Sequence, residues 1–337
     1  MKHTSLLIIF VLIFMTGCSL PQVSITQAAT ETPIPLTPTD IAPSPLPKPE
    51  LGSPENPLIL ALGPSSNSQA QIDAAKVLAS QFKDRTGYAV VTVVPDSYAA
   101  LVDSIEKGNA HIVLLDPFSY ELAYQKGLVQ AAFAVVKDGK TTYGAQFIAS
   151  RKGGFKSYFD PLSQINSADA PEALAQFADK KPCWSDEASP SGYVIPLGYL
   201  NKNQIQTSPA AFVQGHPTVV RSLYLGGICD FGATYIDARK FPSLEDQYPD
   251  LMEKVILVWQ IPSIIPYSVL AFSTSMPQSM RDLFTNTIPA IMQTDDGKAA
   301  FKAAYGIDEL MPVNDAYFSE FHTYVSASKV DLSVIVK

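Results

Sequence analysis

The chain has 337 residues, 47% of them hydrophobic, and a formal net charge of −8. An acidic chain without a basic stripe is not built to bind nucleic acid, which needs clustered Lys and Arg. Its four His are scattered without ligand spacing, so no metal site and no cofactor are expected.

Lys2 and His3 precede an apolar run from Leu6 to Met15. Ten or so apolar residues cannot span a bilayer, which needs about 20. Residues 1–17 therefore read as a secretory signal peptide. "MTGC", Met15 to Cys18, resembles the bacterial lipobox, in which a peptidase cuts before the Cys and the thiol carries diacylglycerol. Met15 stands where Leu is usual. Cys18 is thus expected to be lipidated, placing the protein outside the cytoplasm and anchored to a membrane, at the cell surface or in the periplasm. Residues 18–56 are rich in Pro and Thr, with few large apolar side chains and no period. Such a segment cannot offset its ordering entropy and reads as a disordered tether.

About 280 residues remain, enough for two lobes with their own cores. "PLILALG" is a strand. A helix follows, in which Ile72, Ala75, Leu78 and Phe82 recur at helical spacing. "YAVVTVVP" is a buried strand; Tyr98, Leu101 and Ile105 mark a short helix; "HIVLLD" is a strand and "FSYELAYQKG" a helix. "VQAAFAVV" and "AQFIAS" are strands. The alternation then restarts. "APEALAQFAD" is a helix, "KPCWSD" a strand, "GYVIPLGYLNKN" and "PTVVRSLYLGG" helices, "ICDFGATY" a strand and "SLEDQYPDLMEKV" a helix. "ILVWQI" and "SVLAFS" are strands, and the end is helical. Strands alternating with helices imply an α/β fold of two mostly parallel sheets flanked by helices. The second unit is inserted into the first: residues 57–150 with 271–337 form lobe 1, and 151–270 form lobe 2.

Ligands of open α/β sheets bind beyond the carboxyl ends of the strands. The polar clusters lie there: Ser65 to Asn67, Ser97 and Tyr98, Asp116 to Tyr120 with Ser119, Ser185 to Gly192, and Thr234, Tyr235 and Asp237. Ser189, Ser191 and Gly192 sit at a strand-to-helix turn. Free N–H groups and the positive end of the helix dipole make such a turn an anion site, though Ser at a helix start also serves as a plain cap. Cys183 and Cys229 are either a disulfide between neighbouring strands or two buried thiols; an extracytoplasmic setting permits the bond. No "G-x-S-x-G" or "S-x-x-K" surrounds these serines, and His216 lacks a third partner, so no catalytic residue is expected.

"CWSDEASPSGYVIPLGYL" resembles the Ser-x-Ser-Gly segment of the phosphate/phosphite/phosphonate-binding proteins of bacterial ABC importers. "SYAALVDSIEKGNAHIVLLDPFSYELA", "GHPTVVRSLYLGGICDFGATYIDAR" and "AAYGIDELMPVNDAYFSEF" resemble further segments of that family, in order. The resemblance implies a two-lobed periplasmic-binding-protein fold of type II kind, closing on an oxyanion. The protein would be a monomer that delivers its ligand to an ABC permease. It implies that Tyr98 bonds the ligand from lobe 1, that Ser189, Ser191 and the Gly192 N–H hold its oxygens, and that His216 completes the shell. Asp237 falls where phosphonate binders of the family can hold an acidic residue. Ser65, Ser119 and Tyr235 join the candidate site. Two positions depart from the pattern: Pro190 stands where Thr is frequent, and Tyr267 is nearest to a second acidic position. Both favour another oxyanion or a more apolar ligand, a direction Tyr235 and Trp184 also fit. Related folds bind sulfonates and thiamine precursors, and a sensor lipoprotein would carry the same features.

Overall fold

A computed structural model describes residues 49–64 and 68–337. The expected signal peptide, Cys18 and Ser65 lie outside the described residues. The ordered lobe begins before residue 57. Leu51 packs on the core, and the Ala89 N–H donates to the Gly52 carbonyl at 2.8 Å.

The strands are, in chain order, β1 (Leu58–Ala61), β2 (Val90–Val93), β3 (Ile112–Leu115), β4 (Val129–Val136), β5 (Thr142–Ser150), β6 (Phe159–Asp160), β7 (Ile165–Asn166), β8 (Pro182–Trp184), β9 (Ala211–Phe212), β10 (Phe231–Tyr235), β11 (Val255–Pro266), β12 (Val269–Ser273) and β13 (Glu309–Pro312). They form a six-stranded sheet ordered β13-β4-β12-β3-β1-β2, a five-stranded sheet ordered β11-β5-β10-β8-β9, and the small pair β6-β7. Each large sheet has a parallel set, β2-β1-β3 and β9-β8-β10. Antiparallel strands extend each set on one side.

The chain leaves the first sheet after β4 and enters the second at β5, crossing at residues 137–141. It returns at 267–268, between β11 and β12. The two crossings lie side by side: the Tyr267 N–H donates to the Thr141 carbonyl at 3.3 Å. The first crossing therefore precedes the one expected near Ser150. The strand "AQFIAS" was expected in lobe 1, yet β5 lies between β10 and β11 of the other sheet.

The tail also departs from the expected lobe boundary. The helix Ser319–Ser328 packs on the helix Ile195–Lys202, with the Tyr199 and Tyr324 rings stacked at 3.6 Å. A Cβ on Gly198 would meet the Tyr324 carbonyl oxygen at 2.0 Å, so only Gly permits this approach. The segment expected as one helix over 243–255 is two short helices, Pro242–Gln247 and Leu251–Lys254. Pro249 between them forces Tyr248 out of the helical region, to φ −133° and ψ 79°.

One apolar cluster packs the first sheet against the helices Gln69–Thr86, Gln278–Met292 and Asp295–Tyr305 through Phe82, Phe284 and Phe301. A second runs from Leu115 and Tyr120 to Trp184 and Phe231, linking the two lobes. Burying such aromatic side chains is the main favourable contribution to the fold. Cys183 and Cys229 are bonded, with Cα atoms 5.6 Å apart, where β8 runs beside β10.

Candidate functional site

A cleft of about 670 Å³ opens between the sheets. The first lobe contributes Asp116 and Phe118, at the start of the helix Pro117–Gln125 that follows β3. The second contributes Tyr143 from β5, Ser191, His216 and Tyr235. Lys140 and Tyr267 come from the paired crossings. Lys140 and Tyr143 are thus cleft groups that the sequence did not single out, while Asp116 belongs to one of the expected polar clusters.

The turn after β8 is a single π-turn, Pro190–Val194, leading into the helix Ile195–Lys202. Ser189 caps it: its hydroxyl accepts the Gly192 N–H at 3.0 Å. That bond engages the Gly192 N–H within the turn and gives Ser189 a capping role. Ser191 lines the cleft instead, only 3% exposed. A Cβ on Gly192 would lie 1.9 Å from Ser185 Oγ and 2.9 Å from His216 Cε1. Gly192 is therefore required by close packing, which holds His216 against the turn.

His216 opens the helix His216–Leu225. Its Nδ1 accepts the Tyr235 N–H at 3.3 Å, and its Nε2 lies 3.5 Å from Ser189 Oγ. An accepting Nδ1 assigns the proton of a neutral ring to Nε2. Burial pushes the ring down to about 4, against the charge of Asp186. The ring is neutral at physiological pH and offers one N–H.

Tyr143 and Tyr267 stack at 5.2 Å. Burial pushes the Tyr143 phenol up to about 12, while a hydrogen bond with the Ser191 side chain pulls it down. Ser191, Tyr143 and His216 thus form a cluster of neutral donors on one wall. Lys140 adds a charge at the edge.

Several expected residues stand elsewhere. Asp237 lies at the end of β10 but forms an ion pair with Arg239 at 2.6 Å and accepts from Gln146 Nε2 at 2.7 Å. Burial raises its carboxyl, yet Arg239 outweighs this and holds it below the usual range. It lines a separate chamber with Gln146 and Arg239 and does not line the interlobe cleft. Trp184 is buried against Phe231 and Tyr193, in the core. Tyr98 lines an adjoining hollow with Gly63 and Leu114, and burial, then the charge of Asp116, pushes its phenol up to about 12. Ser119 is buried behind Asp116, to which its N–H donates at 2.7 Å. Ser191, His216, Tyr235 and Tyr267 are brought together. Among the described residues no group of three His, Cys, Asp or Glu could hold a metal ion.

Two α/β lobes joined by paired crossings, with a donor-lined cleft between them, define a two-lobed solute-binding protein. A family model described as "ABC transporter, phosphonate, periplasmic substrate-binding protein" matches residues 60–318. The chain belongs to that family, whose members are transport components working outside the cytoplasm. The Phosphate-import protein PhnD of Mycolicibacterium smegmatis is 26% identical over 195 residues, 55% of this chain and 56% of that protein. The chain thus spans about half the length of that curated relative. Among solved structures, XAC2383 from Xanthomonas citri bound to ATP matches with a TM-score of 0.58 at 14% identity, over 80% of this chain and 97% of that one. The same protein bound to chloride gives 0.56 at 15% identity, with the same coverage. At such identity these likenesses show the fold alone. Among the described residues no helix is long and apolar enough to cross a membrane.

Proposed function

We propose that this chain is the solute-binding component of an ABC importer, anchored by lipid at Cys18, and that its cleft closes on a small phosphorus oxyanion. The observation that carries the reading is the neutral donor cluster of Ser191, Tyr143 and His216 at a helix N-terminus, beside Lys140. Oxyanions are held by preorganised N–H and O–H donors, which need no countercharge when the helix dipole assists. Ser191 and His216 contact the ligand oxygens; Ser189 and Gly192 hold the turn that aims them. Contacts from both lobes stabilise the closed state over the open one, and the closed form docks on the permease as a monomer.

A second reading is favoured by the walls: Phe118, Ile236 and the stacked Tyr143–Tyr267 pair line the same cleft. These surfaces fit an organic group attached to the anion, or an organic solute in its place. Calorimetric titration of the purified protein, stripped of carried-over ligand, separates the readings. The panel is phosphate, phosphite, methylphosphonate, 2-aminoethylphosphonate and an alkylsulfonate. Tight binding of a phosphorus anion is the expected result. A response to the sulfonate alone selects the organic reading, and silence to all five contradicts both.

A further inference from the structure

The second lobe holds a chamber of about 510 Å³, bounded by β5, β11 and the turn after β10. Of its lining residues it shares only Ile236 with the interlobe cleft. Gln146, on β5, lines it at 0% exposure. The Gln146 Nε2 donates to Asp237 Oδ1 at 2.7 Å and to Thr234 Oγ1 at 3.3 Å. A carboxylate only accepts, and Arg239 holds this one in its ionised form, so the Gln146 amide cannot be turned over. Its Oε1 has no hydrogen-bond partner among the described residues. Buried side-chain acceptors are almost always paired, and an unpaired one calls for a donor that the chain does not supply. The charge around it is one-sided. Arg151, Arg239 and Lys240 line the chamber against the single carboxylate of Asp237. Arg239 uses Nε and Nη2 on Asp237 and Nη1 on the Val255 carbonyl, which leaves one N–H on each Nη. Lys240 and Arg151 enter no ion pair among the described residues. Phe155, Met252 and Leu257 add apolar wall.

We propose that this chamber is a second binding site, which takes a small organic carboxylate that also carries a hydroxyl or amide N–H donor. The carboxylate pairs with Lys240 and the remaining N–H groups of Arg239, where charge-assisted hydrogen bonds form. The donor meets Gln146 Oε1, and the apolar body lies on Phe155 and Met252. The volume is in the range of small-molecule sites. A ligand without the donor leaves Oε1 buried and unpaired and binds more weakly for that reason. A ligand without the carboxylate forgoes the cations. The site stands apart from the interlobe cleft and does not depend on the oxyanion reading.

The bland alternative is a hollow in which water alone satisfies Gln146. Met252 lines the chamber and not the cleft, so its methyl resonance, assigned with Met252→Leu, reports binding there. The purified protein with isotope-labelled methionine methyl groups is titrated with two matched pairs at millimolar concentration. These are 4-hydroxybenzoate against benzoate, and 4-hydroxybutyrate against butyrate, with 4-hydroxybenzyl alcohol as the uncharged control. A hydroxy acid is expected to shift the Met252 resonance saturably. Its partner without the hydroxyl should bind about tenfold more weakly or worse, and the alcohol should give no saturable shift. In Gln146→Met the acid and its partner should come within about twofold of each other. In Lys240→Gln the hydroxy acid should weaken by about threefold or more. The inference is overturned if neither hydroxy acid moves Met252, if the members of both pairs bind equally, or if the alcohol binds as tightly as the acid. A preserved preference for the hydroxy acid in a folded Gln146→Met overturns it as well. If that variant does not fold, the wild-type pairs and Lys240→Gln decide, and unchanged affinity in Lys240→Gln overturns it. Each of these outcomes leaves the oxyanion reading of the cleft intact.

Discussion

Two turns line the same cleft, and each is a strand running into a helix. After β3, the Asp116 carboxylate caps the helix Pro117–Gln125. After β8, the Ser189 hydroxyl caps the turn Pro190–Val194. Each side chain accepts a backbone N–H three residues on, but one cap is a carboxylate and the other a neutral hydroxyl. A carboxylate cap neutralises the positive end of its helix and leaves an acceptor toward the cleft. A hydroxyl cap satisfies one N–H and leaves the field for a ligand. A helix N-terminus is therefore not an anion site by position alone; the charge of its cap decides.

Both helices lean on a third, Ser319–Ser328. His322 pairs with Glu121 of the first, and Tyr324 stacks on Tyr199 of the second. The largest effect expected is from cutting the first of these supports. His322→Ala leaves the buried Glu121 with Gln125 as its remaining partner, which should cost about 3 kcal/mol in denaturant unfolding. Ligand affinity should stay within about twofold, since a distant packing site is additive with the cleft. Collapse of affinity at retained stability would mean that the two turns are coupled through this helix. A smaller effect is expected from the cap itself. Ser189→Ala should lower stability by about 1 kcal/mol, and an equal loss appearing only in ligand affinity would make Ser189 a binding residue after all.

A further effect, seen only as pH falls, concerns His216. Its folded-state value of about 4 lies below its unfolded 6.5, so the unfolded chain binds the extra proton first. This site's contribution to stability is therefore whole above about 6.5 and falls as pH drops toward about 4. In the ligand-free protein the His216 ring resonances should stay flat from about pH 8 to about pH 5. Titration near the ordinary His value would show a solvated ring and remove the Nε2–H assignment.

Much of this was legible in the sequence. Apolar runs and helical spacing located the longer elements, because burial periodicity is a local property, but the short strands β6, β7, β9 and β13 were not read from the sequence. Which sheet a strand joins is not local: β5 was expected in lobe 1 with β4 yet joins the second sheet, and the turn Lys137–Lys140 gave no sign that it was a crossing. Tyr143 and Lys140 were missed for the same reason, since they gain a cleft only once β5 is placed in the second sheet. Asp237 shows the converse. Its place at a strand end suggested the cleft, but Arg239, two residues on, claims its carboxylate. Ser189 and Ser191 stand two residues apart in sequence, and it is Ser189 that accepts the Gly192 N–H while Ser191 lines the cleft.

The most direct test of the account compares wild type with Ser191→Ala, titrating each calorimetrically with the tightest phosphorus anion and following thermal unfolding alongside. A loss of roughly 2 kcal/mol in binding is expected, about thirty-fold, the scale of a hydrogen bond to a charged group, with an unchanged melting temperature. Unchanged affinity with a lowered melting temperature would make Ser191 a second cap and contradict the assignment of this turn as the anion site.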